Sequence, residues 1–251
     1  MTRYIKVLLA GAFIASSPVG ASLAFDDAEK KELGEIIKQY LIENPEVLVE
    51  AQTVLEQRQL IAQQQRLKSI ITDMADDIAN NSDDIVFGNP DGDVTIVEFF
   101  DYNCGYCKRA MSDMIEIVEK DPNVKFVLKE FPILGPESVE ATSVSIAVNR
   151  IAPEKSARFH TEMLGSSGRA NKDKGMSIAD SLGIDLVALE KELQDQTLLE
   201  GINKTYEIAQ ALEINGTPSY IVGEEPIFGA VGVSDILKKI QNMRSCGKAT
   251  C

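Results

Sequence analysis

The sequence has 251 residues, 44% hydrophobic and 25% charged, enough apolar content for one or two packed domains and too much for a compositionally disordered chain. Lysine and arginine number 25 against 39 aspartates and glutamates, a net charge of −14. So acidic a chain repels a phosphate backbone and lacks a polybasic face for anionic membranes, which excludes nucleic acid and the bilayer surface as expected partners. Four cysteines, one histidine and no tryptophan point to chemistry that runs through sulfur, with no metal or organic cofactor expected.

Residues 1–24 read as a secretory signal peptide. Arg3 and Lys6 form the basic start, Val7 to Ala15 the apolar run, and Ser22-Leu23-Ala24 the small-residue cleavage site. The run is far shorter than the ~20 residues that span a bilayer, and removal of residues 1–24, which carry two basic and no acidic residues, leaves a net charge of −16. The expected location is therefore the periplasm, where disulfides form and persist.

Residues 25–84 are expected to form an N-terminal helical oligomerisation segment. Leu33, Ile36, Ile37, Tyr40 and Leu41 mark a short helix, and Asn44-Pro45 restarts the pattern with a capping residue and a first-turn proline. A second helix of roughly 35 residues follows, with an apolar stripe from Val47 through Leu55, Ile61, Leu67 and Ile71 to Ile78. Nothing within residues 25–80 is large enough to cover that stripe, so it is expected to pack on other copies of itself, giving a homo-oligomer through residues 26–80. The alternative is that it folds back onto the domain that follows, since Arg58 and Lys68 break the heptad register.

Residues 85–245 alternate between strand and helix signals. Gly88 to Asp93 reads as a turn, Val94 to Phe100 and Val124 to Leu128 as buried strands, and Cys107 to Glu119 as the helix between them. That order implies a parallel pair with a right-handed crossover. A helical insert over about 136–212 follows, then short strands at Tyr220 to Val222 and Ile227-Phe228, and a last helix from Ser234 to Met243. Residues 246–251 form a cysteine-containing tail.

The sequence Cys104-Gly105-Tyr106-Cys107 stands where a buried strand gives way to a helix. There the first cysteine meets unsatisfied backbone N–H groups and the positive end of the helix dipole, which stabilise a thiolate. The second lies three residues on, on the same helix face, and can close a disulfide with little backbone movement. Cys104 is the expected nucleophile and Cys107 the resolving thiol. Zinc sites use the same spacing, but the strand-to-helix context and the exported location favour redox use. Glu98, inside the first strand, is either an outward-facing residue or a partly buried acid that accepts the proton of Cys107.

The segment Val97-Glu98-Phe99-Phe100-Asp101-Tyr102-Asn103-Cys104-Gly105-Tyr106-Cys107, the helical insert and Gly216-Thr217-Pro218 resemble the DsbA family of thioredoxin-fold thiol–disulfide oxidoreductases, over about residues 90–245. Within it the chain is similar to the ScsC-like and Com1-like group, which carries an added N-terminal helical segment. The resemblance implies an α/β thioredoxin-like fold with a helical insertion, preceded by a long helical segment. It also implies a cis Pro218 facing the disulfide, Thr217 pairing through its backbone with an extended substrate peptide, and an acid at the offset of Glu98. Gly105 and Tyr106 join Thr217 and Pro218 as the expected substrate-binding residues. Strongly oxidising members carry Pro-His between the cysteines; Gly-Tyr, with no imidazole, implies a less acidic Cys104 and a disulfide isomerase or reductase rather than a dithiol oxidase. The implied partners are unfolded or misoxidised envelope proteins and a membrane redox partner.

Cys246 and Cys251 are expected to form a small terminal disulfide loop. An auxiliary redox relay and a four-cysteine zinc or copper site are the rival readings, as is an envelope adaptor that uses the fold only as a scaffold. His160 reads as structural rather than as a partner of a cysteine nucleophile.

Overall fold

The computed structural model describes residues 26–251, so the expected signal peptide lies outside the described residues. The described residues fall into two compact units, divided between Gln57 and Arg58.

In the first unit, helix α1 (Asp27–Glu43) starts on a capping box. The Asp26 carboxylate accepts from the N–H groups of Ala28 and Glu29, and the Glu29 carboxylate accepts from the Asp26 N–H. None of its residues is buried. Leu33, Ile36, Ile37 and Tyr40 follow helical spacing and stay exposed, as do Leu48, Val49, Val54 and Leu55 where helix α2 (Glu46–Asp73) begins. A continuous apolar stripe with no cover among the described residues is unusual for a helix in water.

The second unit takes in α2 from Arg58 onward, the short helix α3 (Ala75–Ala79) and everything after it. This differs from a boundary at residue 84, and for a physical reason. Leu67 and Ile71 of α2 and Ile78 of α3 bury against Val97, Phe99, Val127 and Ile221, one face of a sheet that would otherwise be wet. The stripe is thus split: its later part is buried in this unit, and its earlier part is exposed. The helix is also shorter than expected, at 28 residues, and breaks at Met74.

The sheet has five strands, β1 (Ile85–Gly88), β2 (Val94–Phe100), β3 (Val124–Glu130), β4 (Ser219–Val222) and β5 (Glu225–Phe228), in the order β1-β3-β2-β4-β5. β2 and β3 are parallel and every other pair is antiparallel. Strand β1, an edge strand that the sequence reading does not assign, is too short to show an alternating pattern. The twofold periodicity of a strand sorts the side chains. Val94, Ile96 and Phe100 of β2, with Val124, Phe126 and Leu128 of β3, face the helices α4 (Gly105–Lys120) and α10 (Val233–Cys246) through Ala110, Met114, Ile117, Ile236 and Ile240. Glu98 shares the parity of Ile96 and Phe100, and so faces α4.

On the opposite face, the fully buried Lys129 Nζ donates to the Asp84 carboxylate (2.7 Å) and to the Asp77 carbonyl (2.8 Å), tying α3 and the approach to β1 onto β3. Burial pushes Asp84 up to about 6 in spite of the nearby Lys129 ammonium. The helical insert comprises α5 (Pro136–Ile151), α6 (Pro153–Gly165), α7 (Lys172–Ser181), α8 (Leu186–Glu192) and α9 (Thr197–Ala211). In the β4–β5 turn, Gly223 has φ +58°, in the left-handed region that favours glycine, and an added Cβ there would press on the Met243 side chain of α10, 2.6 Å from its Sδ.

Candidate active site

Strand β2 ends at Phe100, and a turn through Asp101, Tyr102 and Asn103 delivers Cys104 as the N-cap of α4. Cys104 and Cys107 are both free and both buried, Cys107 completely. The Cys104 thiol donates to the Thr217 carbonyl at 3.2 Å, across a cis Thr217–Pro218 peptide. This brings the cysteine pair against the Gly216-Thr217-Pro218 loop, 113 positions away in sequence. Tyr106 is exposed with the Arg109 guanidinium 4.6 Å above its ring, and at Gly105 a Cβ would meet open space.

The electrostatics of the two sulfurs diverge. The hydrogen bond from the Cys107 thiol, with help from the Thr217 side chain and the N–H groups of Cys107 and Tyr106, pulls Cys104 down to about 5 against the opposing effect of burial. Cys107 moves far upward, because its proton is held by Cys104 and because it is buried. The loop between the cysteines holds no imidazole, and the lowering comes from the second thiol, the Thr217 side chain and backbone N–H groups.

Glu98 is buried and pushed up to about 8, first by burial and then by the charges of Asp113 and Cys104. Its strand partner Tyr220 is buried too, and burial raises its hydroxyl well above the ordinary range. The alternative of an outward-facing Glu98 is therefore set aside. Sequence reasoning missed a second buried acid. Glu130 ends β3 in the same parity as Phe126 and Leu128, and burial pushes it up to about 8. It accepts from Thr142 Oγ1 at 2.8 Å and from Tyr102 at 3.4 Å, and the Tyr102 hydroxyl also meets Ser145 Oγ at 2.7 Å and His160 Nδ1 at 3.4 Å. Alternation along β3 was the available signal. His160, driven down to about 3 by burial, stays neutral and packs edge-on against Phe100, apart from the cysteines.

Cys246 and Cys251 form a disulfide with Cα atoms 6.4 Å apart. Its loop buries Ala249, whose carbonyl accepts from Asn242 Nδ2, while Thr250 Oγ1 donates to Glu225 at the β4–β5 turn. Pro218 enters the other end of β4. The fold thus keeps this pair apart from Cys104 and Cys107, against both the four-cysteine metal site and a direct relay. Among the described residues no group of three or more His, Cys, Asp or Glu is arranged to hold a metal, and no helix is long and apolar enough to cross a membrane.

A cysteine pair at the N-terminus of a helix, facing a cis-proline loop in a thioredoxin-like sheet with a helical insert, defines a class of thiol–disulfide oxidoreductases. The family model of the DSBA-like thioredoxin domain matches residues 95–241, and the chain belongs to that family. The N-terminal domain of copper resistance protein ScsC matches residues 29–60. A thioredoxin-like oxidoreductase from Silicibacter pomeroyi DSS-3 is 37% identical, with 68% of this chain and 98% of that chain covered and a TM-score of 0.64. Disulfide bond formation protein D of Bacillus subtilis is 25% identical over 166 residues, 62% of this chain and 75% of that protein. A linker-deletion mutant of Proteus mirabilis ScsC, 22% identical, shares the fold over 90% of this chain and 99% of its own, with a TM-score of 0.68. The chain also matches Na(+)/H(+) antiporters, spanning 23% of the length of one from Salinispora arenicola.

Proposed function

We propose that this chain is an exported oxidoreductase that reduces and isomerises protein disulfides in the cell envelope, as a homo-oligomer held through its N-terminal helices. The observation that carries the chemistry is the pairing of an acidic Cys104 with a buried, proton-holding Cys107 at the start of α4. The Cys104 thiolate attacks one sulfur of a client disulfide. That S–S bond breaks, the other client sulfur leaves as a thiolate, and a Cys104–client mixed disulfide remains. In isomerisation a second client thiolate attacks that mixed disulfide and frees Cys104. In reduction Cys107 gives its proton to the Glu98 carboxylate and attacks Cys104 Sγ. The Cys104–Cys107 disulfide forms, and the client departs with two electrons more than it brought. Thr217 and Pro218, with Gly105 and Tyr106, form the surface on which an extended client strand lies.

Support for the isomerase direction comes from the Gly-Tyr dipeptide and from the uncovered stripe on α1 and early α2, since several active sites on one oligomer can hold one misfolded chain. A thiolate stable at neutral pH keeps the pair in the reduced state that isomerisation requires. The same acidity favours the second reading, a dithiol oxidase, because Cys104 is then a good leaving group. Refolding of ribonuclease separates the two. Recovery of activity from the scrambled form supports the isomerase, whereas rapid oxidation of the reduced form without rescue of the scrambled one supports the oxidase.

A further inference from the structure

The residue immediately before the nucleophile is gripped by a part of the chain 67 positions away. Asn103 Nδ2 donates to the Ala170 carbonyl at 3.0 Å, and its Oδ1 accepts from the Ala170 N–H at 2.8 Å. The side-chain amide thus pairs with a buried backbone unit as a neighbouring strand would. Nδ2 also donates to Ser138 Oγ at 2.9 Å. The main chain of Asn103 is fixed as well: its N–H donates to Asp101 Oδ1 at 2.7 Å, and that carboxylate takes further bonds from Ser138 Oγ (2.8 Å) and the Leu134 N–H (2.9 Å). The next N–H, that of Cys104, donates to the Asp101 carbonyl at 3.0 Å. From α4 itself, Lys108 Nζ donates to the Ser166 carbonyl at 2.8 Å, so the loop between α6 and α7 is tied to the first turn of α4 from two sides.

Every group that stabilises the Cys104 sulfur is directional: the N–H groups of Tyr106 and Cys107, the Cys107 thiol and Thr217. Hydrogen bonds weaken steeply with misalignment, so the aim of Cys104 matters as much as its place in the sequence. We propose that Asn103 is a positioning residue for Cys104, using its paired bonds to Ala170 and its bond to Ser138 to aim the sulfur at the helix N-terminus. The helical insert thereby becomes part of the nucleophile's support rather than a separate cap. The proposal rests on the reading of Cys104 as the nucleophile.

The test is the rate of Cys104 alkylation by iodoacetamide against pH, located by mass spectrometry in the full reduced chain, with thermal melting in parallel. In N103A the midpoint of the profile moves up by about one pH unit, a ten-fold loss of thiolate at low pH, while the plateau rate at high pH matches wild type. N103L, similar in volume and uncharged but unable to make the paired bonds, moves in the same direction and carries the test if N103A does not fold. Midpoints equal to wild type in both variants, even with lowered melting temperatures, overturn the proposal and make Asn103 purely structural. A wild-type midpoint in the ordinary thiol range overturns instead the reading beneath it, because no stabilised thiolate then exists to be aimed.

Discussion

Glu98 of β2 stands opposite Tyr220 of β4 in the antiparallel register, on the sheet face that Cys107 packs against. Buried and pushed up to about 8, it combines proton affinity with a place near a thiol that must lose its proton. Glu98→Gln is expected to leave the first attack by Cys104 unchanged and to slow resolution of the mixed disulfide by about 10²-fold, within the usual range for a proton-transfer group. Stopped-flow measurement of client release checks this. Wild-type release should rise with pH through about 8, and the variant should lose that rise. An unchanged release rate would remove Glu98 from the mechanism.

Glu130 makes a prediction about stability. Its pKa rises from 4.5 to about 8 on folding, so between those values the native chain keeps a proton that the unfolded chain releases. The stability contributed by this group is complete below about 4.5 and is lost as pH rises to about 8, on the order of 3 kcal/mol by pH 7. Denaturant titrations of the oxidised chain, in which Cys104 does not titrate, should show Glu130→Gln flattening the decline by the equivalent of one proton. Equal slopes in variant and wild type would contradict it.

The Lys129–Asp84 pair is fully desolvated on the lysine side. Lys129→Met leaves a buried carboxylate without its partner and is expected to cost about 3–5 kcal/mol, whereas pairing it with Asp84→Leu should recover much of that loss. Chemical denaturation of the single and double variants decides. Equal losses in both would show that the lysine's packing, and not its charge, matters.

Removal of residues 26–57 takes away α1 and the uncovered start of α2, and spares the part of α2 that buries Leu67 and Ile71. The truncated chain is expected to be monomeric by light scattering, to reduce a small disulfide at the wild-type rate, and to lose most rescue of scrambled ribonuclease. A full chain that is already monomeric would contradict the oligomer.

What the sequence revealed follows from how local each signal is. The strand at Val94 to Phe100, the active-site helix and the Cys104/Cys107 pair are contiguous patterns, legible because propensity, periodicity and motif agree there. Strand β1 was lost because four residues at a sheet edge carry no period. The split of the α2 stripe depends on which sheet face lacks cover, a tertiary fact that Leu67 and Ile71 do not announce. Glu130 and Asn103 find their partners on α5, in the turn before α4 and in the loop before α7, and a side chain whose meaning lies 12 to 67 positions away reads locally as an ordinary strand or turn residue. The support of Cys104 is hidden for the same reason: beyond the Cys107 thiol it comes from backbone N–H groups and Thr217, which no dipeptide code displays.

The most direct test of the central claim uses Cys107→Ser, which removes the resolving thiol and leaves Cys104 in place. Incubated after reduction with an unfolded protein containing disulfides, this variant should accumulate a single covalent adduct that maps to Cys104 and is released by dithiothreitol, whereas Cys104→Ser should form none. An adduct carried by Cys246 or Cys251, or no adduct at all, would contradict a Cys104-based disulfide exchange.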